Sequence, residues 1–371
     1  MRPLTICLLL SLAAASLAAQ RPKPVFDPET KDGLLIQHIQ QERDPAEKLR
    51  YMEQFAAQYP SHPAAAWVFD QLQPVYFEMK EWDQAMHIGA LRLAVEPQNL
   101  DAGKIALRSA EAKHDTEQIA HWADRVWKIA DALAAKPGPA AADARETETY
   151  AEFCLFSAAQ QTADAHARLD LLNLFDAHGP AGDYTHKLPL EYLRIYREIG
   201  PEDKARDAAD RVLEGDPENL DALIFLAESW FHKDGPHERE KALGYALKVI
   251  DAVGKESNAK ESHAGADWPA RKAKLLETAN YIGGVSSSVL GNWVRADTML
   301  RAALPSVKDP ATEAMLLYHL GMANYRLADK GGPARSMAAL QFMRRCAAIR
   351  SPYQEQASRN VEGIKSEFNL K

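Results

Sequence analysis

The chain has 371 residues, with 44 Lys and Arg against 52 Asp and Glu, and a formal net charge of −8. No stretch is rich in Lys and Arg, which excludes the clustered positive charge from which nucleic-acid binding draws most of its affinity. Ala, Leu, Glu, Lys, Arg and Gln outweigh β-branched residues, so helix is expected throughout.

The N-terminus, MRPLTICLLLSLAAASLAAQ, sets Arg2 before an apolar run from Leu4 to Ala19 that ends in small residues. This is the three-part pattern of a secretory signal, with Ser16-Leu17-Ala18 as the cleavage site. Residues 1–18 are expected to be removed, leaving 19–30 as an extended lead-in. Cys7 lacks the small residues that precede a lipoprotein cysteine, which argues against a lipid anchor. The run is short for a membrane span, and no later stretch approaches the ~18 apolar residues of one. The expectation is therefore an exported protein, periplasmic or extracellular, without stable membrane insertion after cleavage.

Beyond the lead-in, apolar residues recur at three-and-four spacing between Gly, Pro and Asp breaks. The spacing predicts helices over 32–41, 45–58, 63–79, 82–95, 98–113, 116–134, 141–160, 163–177 and 187–199. It continues with 202–214, 219–232, 237–253, 267–290, 293–304, 309–329, 333–348 and 352–368. No segment alternates as a strand does. Helices joined by turns this short pack antiparallel to their neighbours. KPGPAAADA at 136–144 and GKESNAKESHAGAD at 254–267 break the rhythm and read as surface loops within one array spanning 31–371.

Two octapeptides echo each other, VEPQNLDA at 95–102 and GDPENLDA at 215–222. In each, Pro stops one helix and Asn or Asp caps the next by accepting a free backbone N–H. Around the first echo, Phe69, Leu72 and Tyr76 precede Ala85, Gly89 and Pro97; around the second, Tyr196 precedes Ala205, Ala209 and Pro217 at the same offsets. LLYHLGMANY at 316–325 supplies Leu317, Leu320 and Gly321, and Gly284 is followed by Ala296 and Leu300. These sets resemble the tetratricopeptide repeat, W-x2-L-G-x2-Y…A-x3-F…P. The departures are Phe69 at the Trp position, Gln73 at the Gly position, and Asn324 at the Tyr position one before Tyr325. DKGGP near 329–333 reads as an insertion, after which Ala338 and Phe342 complete A-x3-F. Repeats of 34 residues would separate the echoes by a half-integer number of units, so three longer units are expected between them.

The resemblance implies an all-α, right-handed superhelical solenoid of about eight antiparallel helix pairs. The first helix of each pair would line a concave groove that binds another protein or peptide. Carried onto these positions, the groove comprises Trp67 and Phe77, then Arg194, Phe231 and Tyr281, then Tyr318, Met322 and Tyr325, with Asp70, Arg197 and His232 beside them. Aromatic, Met and Arg side chains supply most of the energy at such contacts. Asp70 and Pro74 stand where carboxylate-clamping relatives carry Lys and Asn, and Pro74 is expected to kink its helix. SPYQEQASRNVEGIKSEF sets Tyr353, Ala357, Val361, Ile364 and Phe368 on one face, as a capping helix over 352–368 requires. YPSHP after Tyr59 resembles a short segment of envelope-assembly repeat proteins.

Chemistry is sparse. HKDGPHE at 232–238 gathers His232, Asp234, His237 and Glu238, but in a Gly-Pro turn and without H-E-x-x-H spacing. YIGGVSSSVLG at 281–291 has no following G-K-[ST] and no G-x-S-x-G pattern, so its Gly-Gly reads as a packing position. No catalytic residue, cofactor or metal is assigned, and a non-catalytic scaffold is expected. The alternative is a metal-dependent enzyme or small-molecule receptor using the groove or residues 232–238. Cys154 and Cys346 lie in apolar helical context and read as buried thiols several repeats apart, beyond disulfide reach.

Overall fold

Side chains placed at the turns set the helix ends. The computed structural model describes residues 23–180, 184–255 and 268–370, so the signal segment falls outside the described residues. Among them are seventeen α-helices and no strand. In unit 1, up to Gly182, these are α1 (Lys31–Gln41), α2 (Pro45–Gln58), α3 (Ala65–Glu78), α4 (Trp82–Val95), α5 (Leu100–Lys113), α6 (Thr116–Ala134), α7 (Ala140–Gln161) and α8 (Ala165–Ala177). Unit 2, from Asp183, holds α9 (Leu188–Ile199), α10 (Glu202–Gly215), α11 (Leu220–Phe231), α12 (Pro236–Gly254), α13 (Trp268–Val289), α14 (Trp293–Ala303), α15 (Pro310–Gly331), α16 (Pro333–Ala347) and α17 (Gln354–Phe368). No helix among the described residues is long and apolar enough to cross a membrane.

The two echoes adopt one conformation. Glu96 and Asp216 end their helices at φ/ψ of −137/93 and −136/87. Asn99 and Asn219 then accept from the amides of Ala102 and Ala222 at 2.8 and 3.2 Å. Such caps satisfy donors that the first turn would otherwise leave open. Three helix pairs lie between the echoes, α5–α6, α7–α8 and α9–α10, which is the number of lengthened units the spacing requires.

In α13–α14, α15–α16 and α3–α4, a residue with no side chain lets the backbones close. A Cβ on Gly284 would lie 2.7 Å from Leu300 Cγ and 3.0 Å from its backbone nitrogen. A Cβ on Gly321 would meet Met343 at 2.7–2.9 Å. The pair α3–α4 reverses the arrangement. Gln73 fills the first-helix position, and Gly89 opens the space on the second helix, where a Cβ would stand 2.5 Å from Gln73 Nε2. Gln73, 2% exposed, donates Nε2–H to the carbonyls of Ala85 at 3.1 Å and Ala102 at 2.9 Å, joining α3 to both α4 and α5.

Asn324 is a second departure with a partner. It donates to Asp297 at 2.7 Å and to the Leu320 carbonyl at 2.9 Å, and accepts from Arg335 at 2.8 Å. Asp297 also accepts from Arg301 and Arg335, at 2.8 and 2.6 Å. Burial opposes its charge, but the bonds from Arg335, Asn324 and Arg301 outweigh it and hold the carboxyl below its usual range.

The extra residues of DKGGP are taken up as helix: α15 runs on to Gly331, and Gly332 alone makes the turn at φ 68, a left-handed conformation that glycine adopts without strain. Pro74 lies inside α3, which stays α-helical from Ala65 to Glu78 with Leu72, Gln73 and Tyr76 buried on either side of it. KPGPAAADA is likewise mostly helix, since α7 begins at Ala140. Cys154 and Cys346 are buried thiols in different units, raised by burial to about 12 and about 11.

The glycine contacts give opposite signs to one substitution. Gly284→Ala should lower stability by about 2 kcal/mol, because a methyl there meets backbone that cannot yield. Gly363→Ala, with nothing within 4 Å of its Cβ inside α17, should raise stability by about 0.5–1 kcal/mol. Urea unfolding of both variants measures this, and equal shifts would remove the close-packing account.

Candidate functional site

In unit 2 the first helices pack directly on one another: α11 on α13, α13 on α15, and α15 on α17. The second helices α12, α14 and α16 make no comparable contact among themselves. A stack held closer along one row curves toward it, so α11, α13 and α15 line the inner face of unit 2. In unit 1, α3 packs on α5 and α5 on α7 in the same way.

The residues expected in the groove divide into four groups. Trp67 and Phe77 belong to unit 1, half-buried against its core, with Phe77 edge-on to Trp82 at 5.3 Å. Arg194 is exposed on α9 and bonded to Glu191 at 2.8 Å, while Arg197 lies 5.5 Å from the Phe225 ring. Phe231, Tyr281 and Tyr318 come together on the inner face of unit 2. Phe231 meets Tyr281 at 5.1 Å, and Tyr318 meets Tyr353 at 5.0 Å.

Met322 and Tyr325 lie along α15 where α17 packs. Asn360 Nδ2 reaches Met322 Sδ at 3.7 Å, and Tyr325 donates to Glu367 at 2.9 Å with its ring 6.1 Å from Phe368. The capping helix thus takes that part of the face, with Ala357, Val361 and Ile364 buried beneath it. Asp70 accepts from Arg92, whose side chain is fully buried and also bonds Glu96 at 2.8 Å.

Beside the aromatic group is a cleft of about 540 Å³. Glu228 of α11 and Lys274, Glu277, Thr278 and Tyr281 of α13 form one side. Ser306 to Asp309, from the α14–α15 connection, and Thr312 of α15 form the other. Burial pushes the Glu228 carboxyl up, against the pull of Arg197, His232 and Lys274. Asp309 caps α15 by accepting from the amide and hydroxyl of Thr312, both at 2.8 Å, and its carboxyl is held low.

Three residues of this face were not singled out for it from sequence: Arg239, His319 and Tyr353. Arg239 reaches in from the first turn of α12, donating to the Phe231 carbonyl at 2.7 Å with its guanidinium 4.5 Å from the Phe231 ring. His319 Nδ1 hydrogen-bonds Ser288 Oγ at 3.0 Å, and its ring lies 6.2 Å from Tyr353. Tyr353 reads from sequence only as part of the capping face. Arg239 adjoins a motif notable for its histidines, and the available signal is a cation in a helix first turn, where the macrodipole favours anions.

The other motifs have structural roles. His232, Asp234 and His237 are exposed around the α11–α12 turn, and no group of three His, Cys, Asp or Glu among the described residues is placed to hold a metal. In YPSHP, His62 Nδ1 accepts from the Ala64 amide at 3.0 Å, and Nε2–H faces Asp32 at 3.2 Å, tying α1 to the start of α3. Gly283 and Gly284 of YIGGVSSS pack against Met299 and Leu300.

No family model matches the chain, and no curated protein matches it. Solved structures do. The Cut9–Hcn1 hetero-tetramer of the APC/C aligns with 12% identity over 91% of this chain and 64% of that one, at a TM-score of 0.32. The chain therefore spans under two thirds of that protein's length. The TPR domain of P58(IPK) aligns with 13% identity over 87% of this chain and 93% of that one, at 0.23. Superpositions this loose carry no argument, and the fold rests on the helix packing above.

Burial, and then the charge of Arg239, lower the His319 pKa from 6.5 to about 4. Between those values the unfolded chain binds a proton that the folded chain refuses, so this contribution is complete above pH 6.5 and is lost as pH falls through 4. Between pH 7 and 4, wild type should lose up to about 3 kcal/mol more stability than His319→Gln. Parallel denaturation curves for the two proteins at each pH would show that His319 is not the titrating group.

Proposed function

We propose that the chain is a non-catalytic interaction scaffold whose inner face in unit 2 binds an extended segment of another protein. The observation that carries this reading is the continuity of Phe231, Tyr281 and Tyr318 with an open cleft of about 540 Å³ on one row of helices. The half-buried rings of Tyr281 and Tyr318, backed by buried Phe231, offer rigid apolar area, and a few such residues supply most of the energy of a protein contact. Trp67 and Phe77 mark the corresponding row of unit 1 as a second contact surface. Export, with removal of residues 1–18, and a place in cell-envelope assembly complete the reading. The N-terminal pattern and the YPSHP likeness support them.

A small-molecule receptor is the second reading, favoured by a cleft volume within the usual range for ligand pockets. A photo-crosslinking side chain in place of Thr278, at the cleft, separates the two. The scaffold reading expects one protein adduct of defined mass from that position and none from Lys248, which is exposed on α12. Tyr281→Ala with Tyr318→Ala should reduce the adduct about tenfold or more while the melting curve stays cooperative. Equal adducts from Thr278 and Lys248, or full retention in the double variant, would place the contact elsewhere.

A further inference from the structure

Arg239 combines three features that fold stability alone does not favour. It is a cation in the first turn of α12, where the helix dipole repels positive charge. It is half-buried among rings. Among the described residues it takes part in no ion pair, whereas Arg92, Arg271, Arg301, Arg335 and Arg345 each meet a carboxylate at 2.8 Å or less. One of its five N–H groups goes to the Phe231 carbonyl, and the guanidinium plane retains donors for a further partner.

The surroundings are suited to an anion. Tyr281 stands edge-on to Phe231, Tyr318 pairs with Tyr353, and the charge of Arg239 is felt at Tyr281, His319 and Tyr353. Phenol hydroxyls add donors without adding charge. Burial keeps His319 neutral, so Arg239 is the one fixed cation of the cluster. Lys274, on the adjoining cleft wall, is already paired with Glu277 at 3.2 Å.

We infer that Arg239 recognises the side-chain carboxylate of an acidic residue in the segment bound by unit 2, with the Tyr281, Tyr318 and Tyr353 rings framing the neighbouring side chain. The inference rests on the scaffold reading above. A carboxylate suits the planar guanidinium, which can meet both oxygens at once. A phosphate, near −2, is held by clusters of Arg, and here there is one Arg beside a cleft that carries Glu228, Glu277 and Asp309.

The test uses the full chain and blocked dipeptides. The Nε–Hε NMR signal of Arg239, assigned by its loss in Arg239→Lys, is followed while N-acetyl-Phe-Glu-amide, its Gln counterpart or its phosphoserine counterpart is added to about 10 mM, the range of a weak single contact. The Glu dipeptide should shift the signal saturably and bind about tenfold tighter than either counterpart, and Arg239→Met should abolish that preference. No saturable shift with Glu, equal shifts with Glu and Gln, tighter binding of phosphoserine, or a Glu preference that survives in Arg239→Met would each overturn the inference. The Glu–Gln comparison is made within the wild-type protein, so it holds even if a variant folds poorly. Equal binding of all three dipeptides with signals moving at Tyr281 would remove the carboxylate and leave the scaffold reading, which falls only by the crosslinking result.

Discussion

The pairs α3–α4, α13–α14 and α15–α16 each depend on a contact where two backbones come closer than side chains on both would allow. At Gly284 and Gly321 the first helix supplies the missing side chain, and Leu300 and Met343 fill the space from the second. In α3–α4 the same volume is divided the other way, with Gln73 large and Gly89 small. The conserved quantity is the summed volume across the joint, as close packing of interiors requires. A polar side chain then sits in the core, and its amide is satisfied by carbonyls of two other helices, without which its burial would cost several kcal/mol. Asn324 follows the same rule: it leaves the aromatic position of the repeat, and a buried Asp297 with two arginines surrounds it.

The joints place the first helices side by side, and the site follows from that arrangement. Four alternate helices of unit 2 contribute rings to one face: Phe231 from α11, Tyr281 from α13, Tyr318 from α15, and Tyr353 at the start of α17. None of these would form a surface by itself. The C-terminal helix both ends the stack and uses up part of the face, since Met322 and Tyr325 are engaged by Asn360, Glu367 and Phe368. What remains open lies toward α11 and α13.

Helix positions were legible in sequence because their determinants are local. The Asn99 and Asn219 caps, the proline stops and the three-and-four spacing all act within a few residues. At DKGGP and Pro74 packing outweighs a local breaker: α15 runs on until Gly332 turns the chain, and α3 stays helical past its proline with buried neighbours on both sides. The site was partly legible. Phe231, Tyr281 and Tyr318 follow from the repeat register, but Arg239 and His319 do not, since their meaning depends on rings brought from helices far along the chain. The partner of Asp70 was not legible, for a related reason. That partner is Arg92, one helix further on, and a register of single positions contains no such pairing.

Gln73 also bears on how unit 1 comes apart. In a linear stack, a boundary between ordered and disordered repeats can move inward from an end, one pair at a time, at a cost set by each interface. The amide of Gln73 bonds inside its own pair and to the Ala102 carbonyl in the next one. A boundary passing between α4 and α5 must break that bond. Fraying from the N-terminal end therefore meets a step there, and the backbone amides of α5 should exchange with solvent far more slowly than those of α1.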